Sequence, residues 1–136
     1  MSEAIDWEGL LSCAAEARAH AYAPYSGYAV GAALLAKDGR VFMGANVENA
    51  SYGLCQCAER TALGAAVTAG VRAFAALVIV TGGAAPASPC GACRQVLSEF
   101  PPSFPIRCHG EGGAAPLVTS TADLLPHAFG PSDLER

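Results

Sequence analysis

Positive charge is scarce in this chain and nowhere clustered: eight Lys and Arg are scattered through 136 residues against twelve Asp and Glu, for a formal net charge of -4. A surface that tracks the phosphates of DNA or RNA gathers basic residues along one groove or stripe, so the composition argues against a nucleic-acid polymer as partner. Long hydrophobic runs are missing too. Nothing approaches the ~20 apolar residues that span a bilayer, and Met1-Ser2-Glu3-Ala4-Ile5-Asp6 has no basic segment leading into an apolar stretch. A cytoplasmic protein with no membrane partner is expected. Neither an internal repeat nor a linker interrupts the chain. Its 52% apolar content is ample for a single core, so residues 1–136 are read as one domain.

Cysteine is what the chain does have, six in all. In a short secreted protein six thiols would suggest a disulfide framework. Here there is no export signal, and reducing cytosol disfavours structural disulfides. Three of the six fall into two motifs, Cys57-Ala58-Glu59-Arg60 and Pro89-Cys90-Gly91-Ala92-Cys93. Of the rest, Cys13 and Cys108 read as small buried apolar residues. Cys55, two residues before Cys57, imitates a ligand and is harder to place.

Apolar spacing with Asp6 as N-cap predicts an amphipathic helix from Asp6 to about Ala21, before Pro24. Tyr28 to Ala36 and Arg40 to Ala45 read as strands paired through the Asp38-Gly39 hairpin signal. After a polar loop from Asn46 to Gly53, an Ala-rich helix is expected from near Leu54 to Ala69, stopped by Gly70. Phe74 to Val80 is a continuous apolar strand suited to a central position. A third helix, with Ser88 as cap and Pro89 at its first position, should run to Phe100. Ile106 to His109 and Pro116 to Thr119 are joined too briefly for a parallel crossover, so they form an antiparallel hairpin. A short helix from Thr121 to Leu125 and a tail with Phe129 follow. The sum is an α/β fold, a three-layer α/β/α sandwich on a mixed five-stranded sheet.

The two motifs together have the spacing of a hydrolytic zinc site. Cys57, Cys90 and Cys93 supply three thiolates, and three protein ligands leave a fourth position open to water, unlike a closed structural site. Helix N-termini favour thiolate forms. Three thiolates on Zn²⁺ sum to a negative charge, so a compensating cation is expected. Arg60, at i+3 from Cys57, can donate hydrogen bonds to a ligand sulfur from behind. Glu59 is then free to move protons. Removing an amine from a pyrimidine by hydrolysis needs three proton events, and one carboxylate beside the metal can serve them all. The C-x-E then P-C-x-x-C pattern is the general one of zinc-dependent nucleobase deaminases. Two other arrangements remain open on the residues alone: a structural Cys₄ site that includes Cys55, which leaves Glu59 without a task, and a dithiol redox pair at Cys90 and Cys93.

Over nearly its whole length the chain resembles the small, homotetrameric, zinc-dependent cytidine deaminases. The likeness is carried by Pro24-Tyr25-Ser26, Val30-Gly31-Ala32-Ala33-Leu34, Asn46-Val47-Glu48-Asn49-Ala50, Cys57-Ala58-Glu59-Arg60-Thr61-Ala62, Ser88-Pro89-Cys90-Gly91-Ala92-Cys93-Arg94-Gln95, and Leu124-Leu125-Pro126 with Phe129. The resemblance implies zinc on Cys57, Cys90 and Cys93, with Glu59 as proton shuttle. It places Asn46 and Glu48 on the ribose 3′-hydroxyl and a backbone contact from Ala58 on the base. Ala50, Tyr52 and Phe129 are implied to reach a neighbouring subunit's pocket in a homotetramer with shared active sites. The implied activity is conversion of cytidine and deoxycytidine to the uridines, in pyrimidine salvage. Tyr28 departs from the Phe usual in that family; its ring should still pack by the nucleoside, while its hydroxyl needs a partner or water. The zinc motif alone also fits the blasticidin deaminases, whereas Asn46, Glu48 and Phe129 favour a nucleoside.

Overall fold

Alternation along the central strands decides which helix lies on which face. The computed structural model describes residues 4–134. In chain order the elements are α1 (Trp7–Arg18), β1 (Val30–Ala36), β2 (Val41–Ala45), α2 (Ala58–Thr68), β3 (Phe74–Thr81), α3 (Gly91–Ser98), β4 (Pro105–His109), β5 (Leu117–Ser120) and α4 (Thr121–Leu124), with single 3-10 turns at Tyr52–Leu54 and Pro131–Leu134. The strands form one sheet in the order β2-β1-β3-β4-β5. Only β3 and β4 run parallel, with α3 in their crossover; β1 pairs antiparallel with β2 and β3, and β4 with β5. The expected mixed sheet and its terminal hairpin are both present.

Leu34, Leu77, Ile79 and Ile106 point to one face, where Ala58, Ala62 and Leu97 of α2 and α3 cover them. Ala33, Ala76, Val78 and Val80 point to the other and meet Leu10 and Ala14 of α1. This is the three-layer sandwich. Leu34, Leu77 and Ile106 are wholly buried, and each such side chain contributes about 1.5–3 kcal/mol by leaving water. Two glycines set the spacing between layers. A Cβ at Gly31 would lie 1.9 Å from the Ala14 carbonyl oxygen, and one at Gly44 would lie 2.4 Å from the backbone of Ala58 and Ala62. Both helices therefore sit closer to the sheet than any larger residue permits.

Boundaries of three helices differ from expectation by more than one residue. The first helix ends at Arg18, short of Ala21. The second begins at Ala58, not near Leu54, because the 3-10 turn and an antiparallel bridge between Val47 and Gln56 hold the preceding chain extended. The third begins at Gly91 with Cys90 as its N-cap and ends at Ser98, short of Phe100. Ser88 does not cap it: Pro89 lies outside the helix, and the Ser88 hydroxyl accepts from Arg94 Nη2 at 2.7 Å. Among the described residues, no helix is long and apolar enough to cross a membrane.

Candidate active site

Both motif helices start on a cysteine. Cys57 caps α2 and Cys90 caps α3, each in extended conformation, and neither sulfur bonds to its own helix's N–H groups. A capping side chain normally accepts one of those orphan donors; here both sulfurs are turned outward and left available. Cys93, one turn into α3, completes the set. The three Sγ atoms lie within 4.8 Å of one another, a group able to hold one metal ion. The Cys57–Cys90 distance is 3.8 Å and the Cys90–Cys93 distance 3.4 Å. Cys55 stays outside the cluster: its Sγ accepts from the Asn49 N–H at 3.3 Å and lies 3.6 Å from the Asn49 carbonyl. Its task is to close the loop that leads to Cys57.

Electrostatically the cluster needs a cation. Hydrogen bonding from Cys93, then from Arg60 and Cys90, holds the Cys57 thiol down to about 5. Cys93 is driven strongly upward, first by donating to Cys57, then by burial and the charge of Glu59. One sulfur thus ionises at its neighbour's expense, which a shared divalent ion would relieve. Arg60 Nη2 lies 3.6 Å from Cys57 Sγ and donates to the Cys55 carbonyl at 3.3 Å, while its buried Nε has no protein partner. Glu59 is 5% exposed. Burial is the main cause raising its carboxyl pKa, with the Cys57 charge adding to it. Three soft sulfur donors without a fourth side chain suit zinc with one position open.

Beside the sulfurs is a cavity of about 300 Å³, whose walls include Tyr28, Asn46, Glu48, Cys57, Ala58, Glu59 and Cys90. Asn46 is committed on both sides of its amide: Oδ1 accepts from the Val30 N–H and Nδ2 donates to the Tyr28 carbonyl, each at 2.8 Å. Its second Nδ2 hydrogen remains. Glu48 Oε1 accepts from the N–H groups of Tyr25 and Ser26, and Oε2 accepts from the Ser26 hydroxyl. Those bonds, the hydroxyl first, hold the Glu48 carboxyl below its ordinary value. Ala50, Tyr52 and Phe129 do not line the cavity. Tyr52 and Phe129 are 74% and 59% exposed, and Tyr52 packs edge-on to Tyr25 at 6.0 Å.

The profile of the cytidine and deoxycytidylate deaminase zinc-binding region matches residues 6–103. The chain belongs to that family. Its curated relatives include cytidine deaminases of Sporosarcina psychrophila, 48% identical over 96% of both chains, and of Mycobacterium tuberculosis, 45% identical over 97% of this chain and 96% of that one. The crystal structure of cytidine deaminase from Burkholderia pseudomallei superposes with a TM-score of 0.88 at 52% identity, covering 92% of this chain and all of that one. As a member of this family the chain is a zinc-binding protein with an α/β fold.

Several cavity walls of this deaminase domain escaped sequence reasoning. Thr81, buried at the carboxyl end of β3, and Gln56, Ala87 and Ser88 all face the space. A polar residue closing a continuous apolar strand is a usable signal, because ligands in open α/β sheets collect beyond the carboxyl ends of strands. Gln56 and Ala87 carry no such mark.

Proposed function

We propose that this chain hydrolyses the exocyclic amine of cytidine and deoxycytidine, giving uridine and deoxyuridine with release of ammonia, as in pyrimidine salvage. One observation carries the reading: a buried carboxylate, Glu59, stands beside three converging sulfurs on the wall of a cavity sized for one small molecule. Cys57, Cys90 and Cys93 would hold zinc, which when bound supplies the Lewis acidity that makes water a nucleophile at neutral pH. Arg60 offsets the negative charge of the sulfurs from behind Cys57.

Glu59 is the group that moves protons. It takes one from the attacking water and delivers it to ring N3. As the C4–N bond breaks it delivers a second to the leaving nitrogen, and the water oxygen stays on C4. A carboxyl whose pKa burial has raised is matched to both halves of that exchange. Tyr28 flanks the substrate, the free Nδ2 hydrogen of Asn46 and the carboxylate of Glu48 meet the sugar hydroxyl, and the Ala58 backbone meets the base. Ala50, Tyr52 and Phe129, exposed and outside the cavity, reach a neighbouring copy's site in a homotetramer. Residues 1–136 act as one catalytic domain in the cytoplasm on a soluble nucleoside. Replacing Glu59 with Gln should leave one zinc bound per chain while turnover, followed by loss of cytosine absorbance, falls at least ~10²-fold. Near-normal turnover would remove Glu59 from the reaction.

A further inference from the structure

Arg94, the residue after Cys93, spends its guanidinium entirely on backbone and hydroxyl acceptors. Nε donates to the Pro89 carbonyl at 2.8 Å, Nη2 to the Ser88 hydroxyl at 2.7 Å and Nη1 to the Leu124 carbonyl at 3.2 Å. The first two acceptors form the turn that delivers Cys90, and the third closes α4. Its own N–H donates to the Cys90 carbonyl at 3.0 Å. The next residue, Gln95, donates from Nε2 to the Phe129 carbonyl at 2.9 Å. Among the described residues, these two side chains make the hydrogen bonds that tie carbonyls of the segment from Leu124 to Phe129 to α3. Leu124 packs against the core and Leu125 is half-buried, whereas the chain from Pro126 to Phe129 is exposed and has little burial of its own to hold it.

We propose that Arg94 is a positioning residue that couples occupancy of the metal centre to the ordering of the C-terminal segment from Thr121 to Leu134. The coupling rests on zinc binding at Cys57, Cys90 and Cys93. Cys90 is the exposed ligand of the three, so ligation fixes it most, and the Ser88-Pro89 turn is fixed with it. Once the turn is fixed, two of the three Arg94 acceptors are in place and the fork presents Nη1 to Leu124 without further loss of freedom. A planar guanidinium does this where an ammonium cannot, because its donors are rigidly related. Linkage makes the effect mutual: whatever zinc contributes to the order of the segment, the ordered segment returns as zinc affinity.

Hydrogen–deuterium exchange of the full chain, stripped of zinc and reloaded, tests this in peptides covering residues 121–134, with α1 peptides as control. Zinc should slow exchange in 121–134 about tenfold in the wild type, the scale set by one hydrogen bond to a charged group. Arg94→Lys, which reaches one acceptor in place of three, should lose most of that slowing and bind zinc about tenfold more weakly in competition with a chelator. Arg94→Gln, which removes the charge and the fork, is the second variant, and α1 exchange confirms that each folds. Gln95→Ala should speed exchange near Phe129 equally with and without zinc. Exchange in 121–134 that ignores zinc in the wild type overturns the coupling alone, as does an unchanged zinc response in both Arg94 variants. A wild-type chain that takes up no zinc overturns the metal assignment and the coupling together.

Discussion

At the residue scale, the sulfurs differ in what they give up to a metal. Cys57, held down to about 5, is already ionised at neutral pH, while Cys93 keeps its proton because it donates to Cys57 and is buried. Zinc binding must therefore expel the Cys93 proton at pH 7 but not one from Cys57. The sign follows: affinity falls as pH falls, and the slope gains about one further proton below about pH 5, where Cys57 is protonated before binding. Zinc titrations with a pH-stat across that range read the count; a slope unchanged through pH 5 would contradict the assigned ionisation. The three cysteines that converge were legible by spacing, since the two motifs that carry them can be counted along a chain. Asn46 and Cys55 were not. One pins the start of β1 to the Tyr28 backbone and the other latches a loop to Asn49, and both partners are chosen by three-dimensional proximity.

Among elements, α2 matters most because it carries both Cys57 and Glu59 and is seated on β2 through Gly44. Gly44→Ala places a methyl carbon against backbone atoms of Ala58 and Ala62, which cannot swing aside as a side-chain tip would. The helix must lift, costing about 1–3 kcal/mol, and its capping cysteine moves with it. Thermal unfolding of the metal-free chain should come several degrees lower, and zinc affinity should drop in parallel. Gly31→Ala strains α1 against β1 by the same kind of contact but on the opposite face of the sheet from the sulfurs. It should lower the melting temperature while leaving zinc affinity within a few-fold. Equal zinc losses in both variants would show that stability alone is being read. Because Asp-Gly and short connections restrict pairing locally, the strands were anticipated to within one residue except β1, which starts two residues late, at Val30 and not at Tyr28. Of the helix starts, Asp6 as the cap of α1 and Thr121 as the start of α4 were anticipated, while those of α2 and α3 were not: an N-cap is defined by backbone conformation at one residue, and Cys90 takes the place expected of Ser88.

For the whole molecule, large apolar side chains are exposed on both edge strands, at Val41, Met43, Leu117 and Val118, and on the loops. Tyr25, Tyr52 and Leu54 are exposed on the loops on either side of Glu48, and Phe129 is exposed ahead of the final 3-10 turn, surface that suits burial against other copies. Sedimentation equilibrium should return four times the 13.8 kDa of one chain. Shared sites make a sharper test. Glu59→Gln and Phe129→Ala chains, each impaired alone, should regain activity when unfolded and refolded together. Random assembly joins an intact Glu59 to a neighbour's intact Phe129 at about a quarter of the sites. No recovery from mixed tetramers would confine every substrate contact to one chain.

What the amino-acid order determined by itself is the donor set and the layer plan. Sulfur spacing, a carboxylate two residues from Cys57, and apolar periodicity are properties of a one-dimensional string and survive any tertiary arrangement that keeps helices and strands intact. The cavity's extra walls at Thr81 and Gln56, the commitment of Asn46 to backbone, and the grip of Arg94 on Leu124 were decided only when distant segments met. Hydrogen-bond partners at such separations are selected by where the packed layers bring them, and no local preference in the chain encodes that distance.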